Sequence, residues 1–473
     1  MRGKRLLKIG TGLFIAAALA AGIISISTAS EGLKITKSGG WYETAYAEWS
    51  DVDQAVEVYY KKTTDTAYIP VDEELIRDGR VDIPGLDAAF EYDLKIVCGQ
   101  ETAVVTVQPT AYDRSGYAHW NEDSGVGAYN NDGTLKSGVT VLYVTDETKD
   151  TVTYNGNTGL YDILNDPATA DLDVRLIGAV NPPSGVIPND GSSNEGTNMV
   201  WLNHLKNVTI EGIGTDAQLV RWGIAVCSCE SVEIRNLYFY EYPDDAVGIQ
   251  GSASELSQRI WVHNNEFGPG KNEYAGNGIV DDDKAEGDGA TDIGWAQYIT
   301  VSYNYYKNCH KTSIIGGDET QLQDWITYHH NRFENCKSRT PRARNAHIHV
   351  YNNYFCCVSD YCVGASDNAK IFTESNYFFE CGNALFMDAI GADMYSGTIK
   401  SYGDILDSCS GVSVYTAISE KTDNANIPNL IDGGEDYDNF DLDSSVFYLN
   451  NYMIQSPTEA RQTCIDHAGR MAD

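Results

Sequence analysis

The sequence predicts an all-β protein in which a small β-sandwich precedes a parallel β-helix. Two observations support this fold class. Residues 31–115 contain short segments in which apolar and polar residues alternate, as they do in half-buried antiparallel strands. Residues 116–473 instead repeat a phrase of alternating apolar residues followed by asparagine and aromatic residues, and such a repeat is typical of a stacked solenoid.

The first 30 residues have the features of an export signal. Four basic residues lie before residue 9, an apolar run occupies residues 13–24, and the small residues Ser27-Thr28-Ala29 follow, which is the pattern of a cleaved signal peptide. A retained membrane anchor is the alternative, because the uncharged residues 9–30 are long enough to span a bilayer. After cleavage, we expect a secreted protein that is not inserted in a membrane.

The composition excludes some classes of protein. The 473 residues carry a formal net charge of −35, so the chain is a poor general binder of nucleic acid or of anionic membranes. A hydrophobic fraction of 42%, 31 tyrosines and only 12 prolines are unlike the composition of a disordered protein. If the ligand is an anion, acidic residues must hold a cation or basic residues must gather in one place.

The first domain, residues 31–115, is predicted to hold about five to seven strands. The segments 55–60, 90–97 and 103–107 are examples, and this number of strands in so short a domain indicates a β-sandwich. Trp49 and Tyr92 resemble the tryptophan and tyrosine of a fibronectin type III module. No residue here suggests catalysis, and we expect a spacer or a weak carbohydrate-contacting module.

An asparagine marks each repeat of the second domain. The repeated unit is too short to bury its own apolar face, so each unit must stack on the next, and strands stacked in one direction form a parallel β-helix. Amides stacked at one turn can form a ladder in which each bonds to its neighbours. The asparagines matched in this way, separated by 29, 39, 27, 22 and 23 residues, are Asn236, Asn265, Asn304, Asn331, Asn353 and Asn376.

Cysteines also follow the repeat. Cys309, Cys336 and Cys381 each come five residues after their asparagine, so their side chains should point the same way from successive or nearly successive coils. Strand stacking of about 4.8 Å would allow disulfides, but a column of small buried thiols packs well without them, and we favour buried thiols. The eleven cysteines include no CxxC pair, which disfavours a zinc site.

Acidic residues gather at two places that a solenoid would bring together. Asp288 and Asp292 lie four residues apart before a predicted strand, and Asp245 lies about two repeats earlier, beside Asp244. Carboxylates on one face supply the hard oxygen ligands that Ca²⁺ prefers; the alternative, in a chain with 68 acidic residues, is a solvated acidic loop. The 39 residues between the second and third asparagines contain the largest insertion, and insertions in solenoids commonly form the binding face.

Basic residues gather downstream of these acids. Lys337, Arg339, Arg342 and Arg344 lie within eight residues, and Lys311 lies one coil earlier. Arginines bind carboxylates well, so this group could bind an anion; the alternative is surface pairing with the excess acid. Acidic residues that hold a cation, beside basic residues that hold an anion, suit a chain of carboxylated sugars.

Together, these motifs resemble the pectate lyases of polysaccharide lyase family 1, from Gly116 to about Cys381. The family has an Asp-Ala pair, a DGxxD pair before a YITVS strand, a lysine in HKTSxIG, then YHHN and RxPxxR. The matching residues, in the same order, are 245–246, 288–292, 310–316, 328–331 and 339–344. The resemblance implies a right-handed parallel β-helix and a secreted, monomeric enzyme that cleaves polygalacturonate by Ca²⁺-dependent β-elimination.

The resemblance also assigns roles to single residues. Asp245, Asp288 and Asp292 correspond to the calcium ligands, and Arg339 corresponds to the base that removes the C5 proton of galacturonate. The catalytic residues that bind substrate carboxylates and stabilise the developing negative charge are Lys311 and Arg344. The other residues assigned to substrate binding are Arg342 and His310.

A guanidinium is an unusual base, because the free group has a pKa above about 12. Neighbouring cations lower such a pKa, so this interpretation predicts an alkaline pH optimum. One motif departs from the family. It usually has WxDHN where this sequence has Trp261-Val262-His263-Asn264-Asn265, so His263 and Asn264 replace an aspartate and a histidine, neither of which is among the assigned calcium ligands.

Two alternative functions and one terminal element complete the prediction. A pectin lyase acting on methyl-esterified chains is disfavoured by the Asp288 and Asp292 pair, since the resemblance implies that such enzymes replace the metal with basic residues. A non-catalytic β-helix that binds acidic polysaccharide would need neither the lysine nor the arginines in register with the acids. Residues 457–470 predict a short amphipathic helix, which we expect to cap the last coil.

Overall fold

The structure is a computed structural model that describes residues 32–50, 52, 54–187, 198–278, 280, 282–317, 323–387, 395–410, 416–417 and 454–472. The predicted export signal, residues 1–30, lies outside the described residues. The chain forms two compact units, one of Met1–Ile83 and Phe90–Thr110 and the other of Pro84–Ala89 and Ala111–Asp473. Within the described ranges, no helix is long and apolar enough to cross a membrane.

The first unit contains small antiparallel sheets. Its strands are β1 (Ile35–Trp41), β2 (Thr44–Trp49), β3 (Val56–Lys62), β4 (Ile69–Pro70), β5 (Ile76–Arg77), β6 (Arg80–Pro84), β7 (Tyr92–Cys98) and β8 (Glu101–Val107). They form two four-stranded sheets in the orders β1-β2-β6-β5 and β4-β3-β7-β8. Along β7, buried Tyr92, Leu94 and Ile96 alternate with partly exposed residues, as predicted for a half-buried strand. The fibronectin type III likeness stays a prediction.

The second unit consists mainly of short strands that follow one another closely along the chain. They are β9 (Thr140–Val144), β10 (Thr153–Tyr154), β11 (Asn157–Thr158), β12 (Ala170–Val180), β13 (Met199–Asn203), β14 (Lys206–Val220), β15 (Gly223–Cys227), β16 (Glu230–Arg235), β17 (Tyr238–Tyr240), β18 (Val247–Gln250), β19 (Ser257–His263), β20 (Glu266–Phe267), β21 (Thr291–Gly294), β22 (Ala296–Ser302), β23 (Tyr305–Lys307), β24 (Ile314–Ile315), β25 (Gln323–His329), β26 (Arg332–Glu334), β27 (Arg342–Arg344), β28 (Ala346–Tyr351), β29 (Tyr354–Cys356), β30 (Tyr361–Ser366), β31 (Lys370–Glu374), β32 (Tyr377–Phe379), β33 (Asn383–Met387), β34 (Thr398–Tyr402), β35 (Ile405–Asp407) and β36 (Thr416–Ala417). Among the residues that the structure describes here, the α-helices are α1 (Leu160–Asn165) and α2 (Pro457–His467).

These strands form a parallel β-helix, as predicted. Sheet A has the order β13-β15-β18-β21-β24-β27-β30-β33. Sheet B contains β16, β19, β22, β25, β28, β31 and β34, and sheet C contains β17, β20, β23, β26, β29, β32 and β35. Pairing within each sheet is parallel, with one strand from each coil. Each coil therefore adds one strand to each sheet, and equivalent residues of successive coils lie above one another.

The interior between the sheets is filled by columns of like side chains. Sheet B contributes a column of fully buried aliphatic residues, which are Val232, Ile260, Ile299, Ile326, Ile348 and Ile371. Sheet C contributes aromatic rings with neighbouring centroids 4.4–5.0 Å apart and planes within 9° of parallel, which are Phe239, Phe267, Tyr306, Phe333, Phe355 and Phe378. This packing fixes the coil register, and with it the positions of residues on the outer faces of the sheets.

The predicted asparagine ladder is present in five coils. The Nδ2 of Asn265, Asn304, Asn331 and Asn353 donates to the Oδ1 of the next asparagine over distances of 3.0–3.2 Å. Asn376 continues the ladder by donating to Asp404 over 2.9 Å, a member that the repeat did not reveal. The ladder satisfies buried amides that have no access to water.

The prediction for Asn236 is wrong by one position. Asn236 N–H donates to the carbonyl of Asn264, and the N–H of Leu237 donates to Asn265 Oδ1 over 3.1 Å, so Leu237 occupies the ladder position. Asn236 lies one residue earlier, with φ 54°. Asparagine tolerates this left-handed conformation better than most residues, which explains its presence at the turn.

Removing one rung of the ladder should destabilise the β-helix. Asn331 is fully buried, donates to Val301 O and Asn353 Oδ1 and accepts from Asn304. We expect Asn331→Ala to lower the free energy of unfolding by about 2–4 kcal/mol, because it leaves several buried donors and acceptors without hydrogen-bond partners. Calorimetry of the β-helix transition measures this, with Asn383→Ala on the half-buried strand β33 as the control. Equal effects of both substitutions would contradict the ladder's role.

The three cysteines of the predicted column are buried thiols, as the preferred interpretation predicts. All eleven cysteines are unpaired by disulfides, and Cys309, Cys336 and Cys381 are buried. In successive coils, the residue after each position of the column donates its N–H to the carbonyl of the position one coil earlier. These hydrogen bonds place Val358 in the column between Cys336 and Cys381, and Cys409 after Cys381. The column is therefore a packing feature of the interior.

The C-terminal helix forms, but its predicted location is wrong. Helix α2 has a capping box at Ser456 and ends at His467 rather than at residue 470. The segment lies along the side of the β-helix: Gln455 bonds to Asn352, Gly469 N–H donates to Tyr303 O over 2.7 Å, and Met471 N–H donates to Asn236 Oδ1 over 2.7 Å. It docks here because turn residues of several coils present polar groups that its backbone satisfies.

Candidate active site

A groove lies along the outer face of sheet A. Alternation along the strands decides which residues face it. Ile249, Ile293 and Ala343 belong to the buried core, so their neighbours on the same strands, among them Asp292 and Arg344, face outward. The groove lining contains four carboxylates and one ammonium, which belong to Asp244, Asp245, Asp288, Asp292 and Lys284.

Backbone amides hold two of the predicted calcium ligands in place. Asp245 precedes β18, and its Oδ1 accepts from the N–H of Gly289 over 2.9 Å. Asp292 lies on β21, opposite Gly248 of β18, and its Oδ1 accepts from the N–H of Ile314 over 2.9 Å. Parallel pairing of β18 with β21 thus brings residues 47 positions apart in the sequence to the same part of sheet A.

Asp288 completes a cluster with Asp245 and with Asp244, which the sequence argument left without a role. Carboxylate oxygens of these three residues lie within 4.8 Å of one another. The N–H of Asp288 donates to the carbonyl of Asp244 over 3.0 Å, which links the insertion to the edge of sheet A. The structure therefore brings two predicted ligands, Asp245 and Asp288, together from separate segments, while the third, Asp292, lines the same groove outside this cluster.

Charge repulsion in this cluster is not fully compensated. Burial, and then the charges of Asp292 and Asp244, raise the pKa of Asp245 well above its ordinary value. Burial also raises the pKa of Asp292 to about 7. The charge of Asp288 contributes to this increase, whereas the hydrogen bond from the N–H of Ile314 opposes it. In contrast, burial of Asp288 is outweighed by Lys284 and Lys311, which lower its pKa, so the uncompensated negative charge lies at Asp245 and Asp292.

The donor set fits a hard divalent cation. Ca²⁺ binds carboxylate oxygens in flexible geometry, and these side chains supply them from one face of the sheet. Gly289 leaves the necessary space, because a Cβ at this position would lie 2.2 Å from Asp292 Oδ1. A side chain at Gly289 would therefore displace a carboxylate that the site needs.

Lys284 is a residue of this site that sequence reasoning missed. Its Nζ lies 2.6 Å from Asp288 Oδ2 and 3.6 Å from Asp244 Oδ1. Burial lowers the pKa of Lys284, but the hydrogen bond and charge of Asp288 outweigh this and raise it. The sequence feature that could have identified Lys284 is its position four residues before Asp288, within the acidic insertion.

Because this ammonium lies among the carboxylates, it should compete with a bound cation. We expect Lys284→Met to raise the affinity for Ca²⁺ about tenfold, since a charge-assisted hydrogen bond is worth about 1.5–3 kcal/mol. Isothermal titration calorimetry measures this affinity, with Lys307→Met at an exposed position of β23 as the control. A weaker affinity in Lys284→Met would show that the lysine supports the site instead.

The predicted catalytic residues lie beside the carboxylates. Lys311 is mostly buried, and its Nζ lies 2.7 Å from Asp283 Oδ2 and 3.1 Å from Asp288 Oδ1. Arg339 comes from the next coil, where its carbonyl accepts from Ser313 N–H over 2.7 Å. Its charge lowers the pKa of Asp292, which indicates that the guanidinium lies near that carboxylate.

Two further arginines lie on the adjacent strand β27. Arg342 and Arg344 flank the core residue Ala343, so both side chains face outward. The Nη1 of Arg344 donates to the carbonyl of Gly317 over 2.6 Å, and Gly317 lines the groove. Arg342 is 4% exposed. Both arginines therefore lie on the same sheet face as the acids.

His310 is oriented differently from the other predicted residues. Its Nδ1 lies 3.5 Å from Glu286 Oε2, and its Nε2 lies 2.7 Å from Lys337 Nζ. These partners belong to the insertion and to the loop before β27, so His310 joins the two at the rim. Its assignment to substrate binding stays a prediction.

Of the two residues that depart from the family pattern, His263 ends β19 of sheet B and Asn264 lies at the turn that follows. His263 is fully buried, its Nε2 lies 3.0 Å from Glu233 Oε1, and its ring stacks on Trp261 with centroids 3.5 Å apart. Asn264 Nδ2 faces the carbonyl of His467 over 3.4 Å. His263 therefore contributes to the packing of sheet B, and Asn264 contributes to the docking of the C-terminal segment.

Comparisons with known proteins agree with this architecture. Residues 200–427 match the family model described as pectate lyase. The chain is similar to a pectate trisaccharide-lyase from Bacillus licheniformis, with 35% identity over 192 residues, or 40% of this chain and 52% of the relative. It is also similar to a pectate lyase from Bacillus subtilis, with 32% identity over 197 residues, or 36% and 47%. The chain spans about half the length of the curated relatives it matches.

Solved structures show the same fold. A pectate lyase from Bacillus sp. N165 in complex with trigalacturonate has a TM-score of 0.53 and 24% identity, covering 76% of this chain and 99% of that one. A mutant of pectate lyase C in complex with pentagalacturonic acid has a TM-score of 0.53 and 18% identity, covering 76% and 97%. These likenesses establish a parallel β-helix of the kind found in pectate lyases.

Proposed function

We propose, from the match of residues 200–427 to the pectate lyase family, that the chain is a polysaccharide lyase acting on α-1,4-linked polygalacturonate. It cleaves by Ca²⁺-dependent β-elimination and gives 4,5-unsaturated oligogalacturonides. The observation that carries the proposal is the juxtaposition, along sheet A, of partly buried carboxylates with Lys311, Arg339 and Arg344. Neighbours of the same fold have been solved with trigalacturonate and pentagalacturonic acid.

Asp245, Asp288 and Asp292 would hold the calcium ion, with Asp244 beside them. A neighbour of the same fold, pectate lyase C from Erwinia chrysanthemi, has been solved with Ca²⁺. When bound, the ion supplies positive charge that neutralises a substrate carboxylate. The raised pKa of Asp245 and Asp292 supports this assignment, because both carboxyls need a cation to ionise fully at neutral pH.

The basic residues carry out the elimination. Removing the C5 proton of galacturonate places negative charge on the adjacent carboxylate, and this charge must be stabilised before the bond breaks. Lys311 and Arg344 bind the carboxylate and stabilise that charge. Arg339 accepts the C5 proton in its neutral form, having first released a proton to solvent, which alkaline pH favours. The C5–H electron pair forms the C4–C5 double bond, the C4–O bond breaks, and the glycosidic oxygen leaves and takes up a proton. No water is consumed.

Arg342 and His310 would contribute to substrate binding from the sides of this centre. Arg342 lies on the same face of β27 as Arg344 and, although only 4% exposed, would add positive charge near the carboxylate of a bound sugar. His310 links Glu286 to Lys337 and can orient the rim of the groove. A polymer with one carboxylate per sugar suits basic residues distributed in this way.

Two alternatives are less well supported. A pectin lyase acts on neutral methyl esters and has no use for four carboxylates around its site. A non-catalytic β-helix that binds acidic polysaccharide has no need to bury Lys311 against Asp288. Both alternatives predict different results in the same assay.

The assay follows ultraviolet absorbance of unsaturated uronides, which the substrate lacks. Polygalacturonate and highly methylated pectin are compared, with added Ca²⁺ and with a chelator, from neutral to alkaline pH. We expect absorbance to rise on polygalacturonate only with Ca²⁺ and to rise faster at alkaline pH. Activity on methylated pectin alone would identify a pectin lyase, and no activity of the folded protein on either substrate would identify a binding protein.

We also propose that the protein is secreted and acts as a monomer. The basic and apolar residues before residue 30 support export, and polygalacturonate is too large to enter a cell. The first unit would then act as a spacer or as a weak carbohydrate-contacting module. Culture fractionation followed by gel filtration tests export and monomeric state together.

A further inference from the structure

A cluster of two histidines and one aspartate lies at the end of sheet B, apart from the groove on sheet A. His329 is the last residue of β25 and His330 follows it, while Asp113 belongs to the segment that precedes the short helix Tyr117–His119. One oxygen of Asp113 and one ring nitrogen of each histidine lie within 4.8 Å of one another. We refer to these three residues as the histidine site.

The Nδ1 atoms of the two histidine rings face each other. His329 Nδ1 and His330 Nδ1 are 2.9 Å apart, and Asp113 Oδ2 lies 4.0 Å from His329 Nδ1. Both histidines are buried, whereas the side chain of Asp113 is 27% exposed. The site is therefore closed on the histidine side and open to solvent on the aspartate side.

Hydrogen bonds of the other ring nitrogens determine where the lone pairs point. His329 Nε2 lies 3.1 Å from the carbonyl oxygen of Ser115, and His330 Nε2 lies 3.2 Å from Gln455 Oε1. Both partners are acceptors, so each Nε2 carries the proton and each Nδ1 carries a lone pair. Two lone pairs that face each other at this distance repel unless a cation lies between them.

The surroundings favour a metal ion over a shared proton. Both imidazoles are buried, and burial disfavours the protonated, charged form of the ring. Asp113 is oriented by the N–H of Ser115 over 2.9 Å and by the hydroxyls of Ser115 and Tyr303. Metal-binding histidines usually donate their second N–H to an oxygen, and ligating carboxylates are hydrogen-bonded in turn.

We propose that Asp113, His329 and His330 bind Zn²⁺ or a similar first-row transition metal, with solvent completing the coordination on the side of Asp113. Imidazole nitrogen suits these metals, whereas Ca²⁺ prefers an all-oxygen set, so the histidine site and the groove select different ions. The bound metal joins the 113–115 segment to sheet B, and Gln455 extends this link to the C-terminal segment. The proposal does not rest on lyase activity.

The test uses the full-length protein, freed of metal by dialysis against a chelator and then saturated with Ca²⁺ to occupy the groove. Co²⁺ is the probe, because it takes the ligands that Zn²⁺ takes and absorbs visible light when coordinated. We expect the wild type to bind one equivalent of Co²⁺ with a visible band that Zn²⁺ abolishes. Zn²⁺ should also raise the Tm of the β-helix transition.

Matched variants show whether the Co²⁺ that gives the visible band is bound at the histidine site. We expect Asp113→Asn and His330→Gln each to weaken Co²⁺ binding by at least about tenfold, while the controls Asp292→Asn in the groove and His204→Gln at an exposed histidine leave it unchanged. Asp113 is partly exposed, so its variant decides the matter if His330→Gln fails to fold. The proposal is overturned if the wild type shows no band, if Asp113→Asn keeps it, or if Asp292→Asn loses it. The first result would indicate a neutral histidine pair with the Gln455 amide reversed.

Discussion

Arg339→Lys should lower the rate of polygalacturonate cleavage by about 10²–10⁴-fold, the usual contribution of a catalytic base. Arg339 lies in the left-handed conformation with φ 60°, at the start of the loop that leads into β27. This backbone directs the planar guanidinium, and a lysine ammonium cannot reproduce its geometry. The initial rate is measured by absorbance at alkaline pH with saturating Ca²⁺ and substrate.

The control for this variant is Arg332→Lys on β26. Arg332 pairs with Glu334 of the same strand on sheet C, and it should retain full activity. If Arg339→Lys kept a rate close to wild type, another residue would have to be the base. If both variants lost activity equally, the effect would reflect folding rather than proton transfer.

Asp292→Asn should weaken Ca²⁺ binding by at least about 10–100-fold and reduce activity at limiting Ca²⁺ in proportion. The metal-free pKa of Asp292 is raised to about 7, so below this pH the proton competes with the ion. In the wild type, affinity should therefore rise with pH up to about 8, by up to about tenfold per unit for one released proton. The contribution of Asp292 to this slope should level off above that pH, where its carboxyl is already ionised.

Calorimetry in buffers of different ionisation enthalpy measures both the affinity and the proton release. The asparagine variant should lose most of the pH slope along with the affinity. Asp360→Asn, at an exposed position, is the matched control and should behave as wild type. A wild-type affinity that is independent of pH between about 6 and 8 would contradict the assigned role of Asp292.

The repeated phrase was sufficient to predict the β-helix, because the column of Ile260, Ile299 and Ile326 and the stacked rings beside it recur in register. It was insufficient to place Asn236. Two adjacent turn positions favour asparagine, one for its left-handed backbone and the next for the amide ladder, and Asn264 and Asn265 occupy both. Where a coil has only one asparagine, the spacing does not decide which position it fills.

The site could be predicted where strands of the repeat carry it or where a family motif marks it, as at Asp245, Asp288 and Lys311. Parallel pairing determines the position of Asp292, and the order of the coils places Arg339 and Arg344 on the same face. Lys284 lies in the insertion, whose path depends on its own contacts rather than on the repeat. The docking of helix α2 was missed for a similar reason, since the polar turn residues that bind it belong to coils far apart in sequence.

The most direct test of the central claim is to cleave polygalacturonate in oxygen-18-labelled water and to analyse the products by mass spectrometry. β-Elimination consumes no water, so we predict products with a 4,5-unsaturated non-reducing end and no label introduced by bond cleavage. A parallel incubation of finished products in labelled water corrects for exchange at the reducing end. Saturated products that each gain one labelled oxygen would show hydrolysis and would contradict the roles assigned to Arg339 and the calcium ligands.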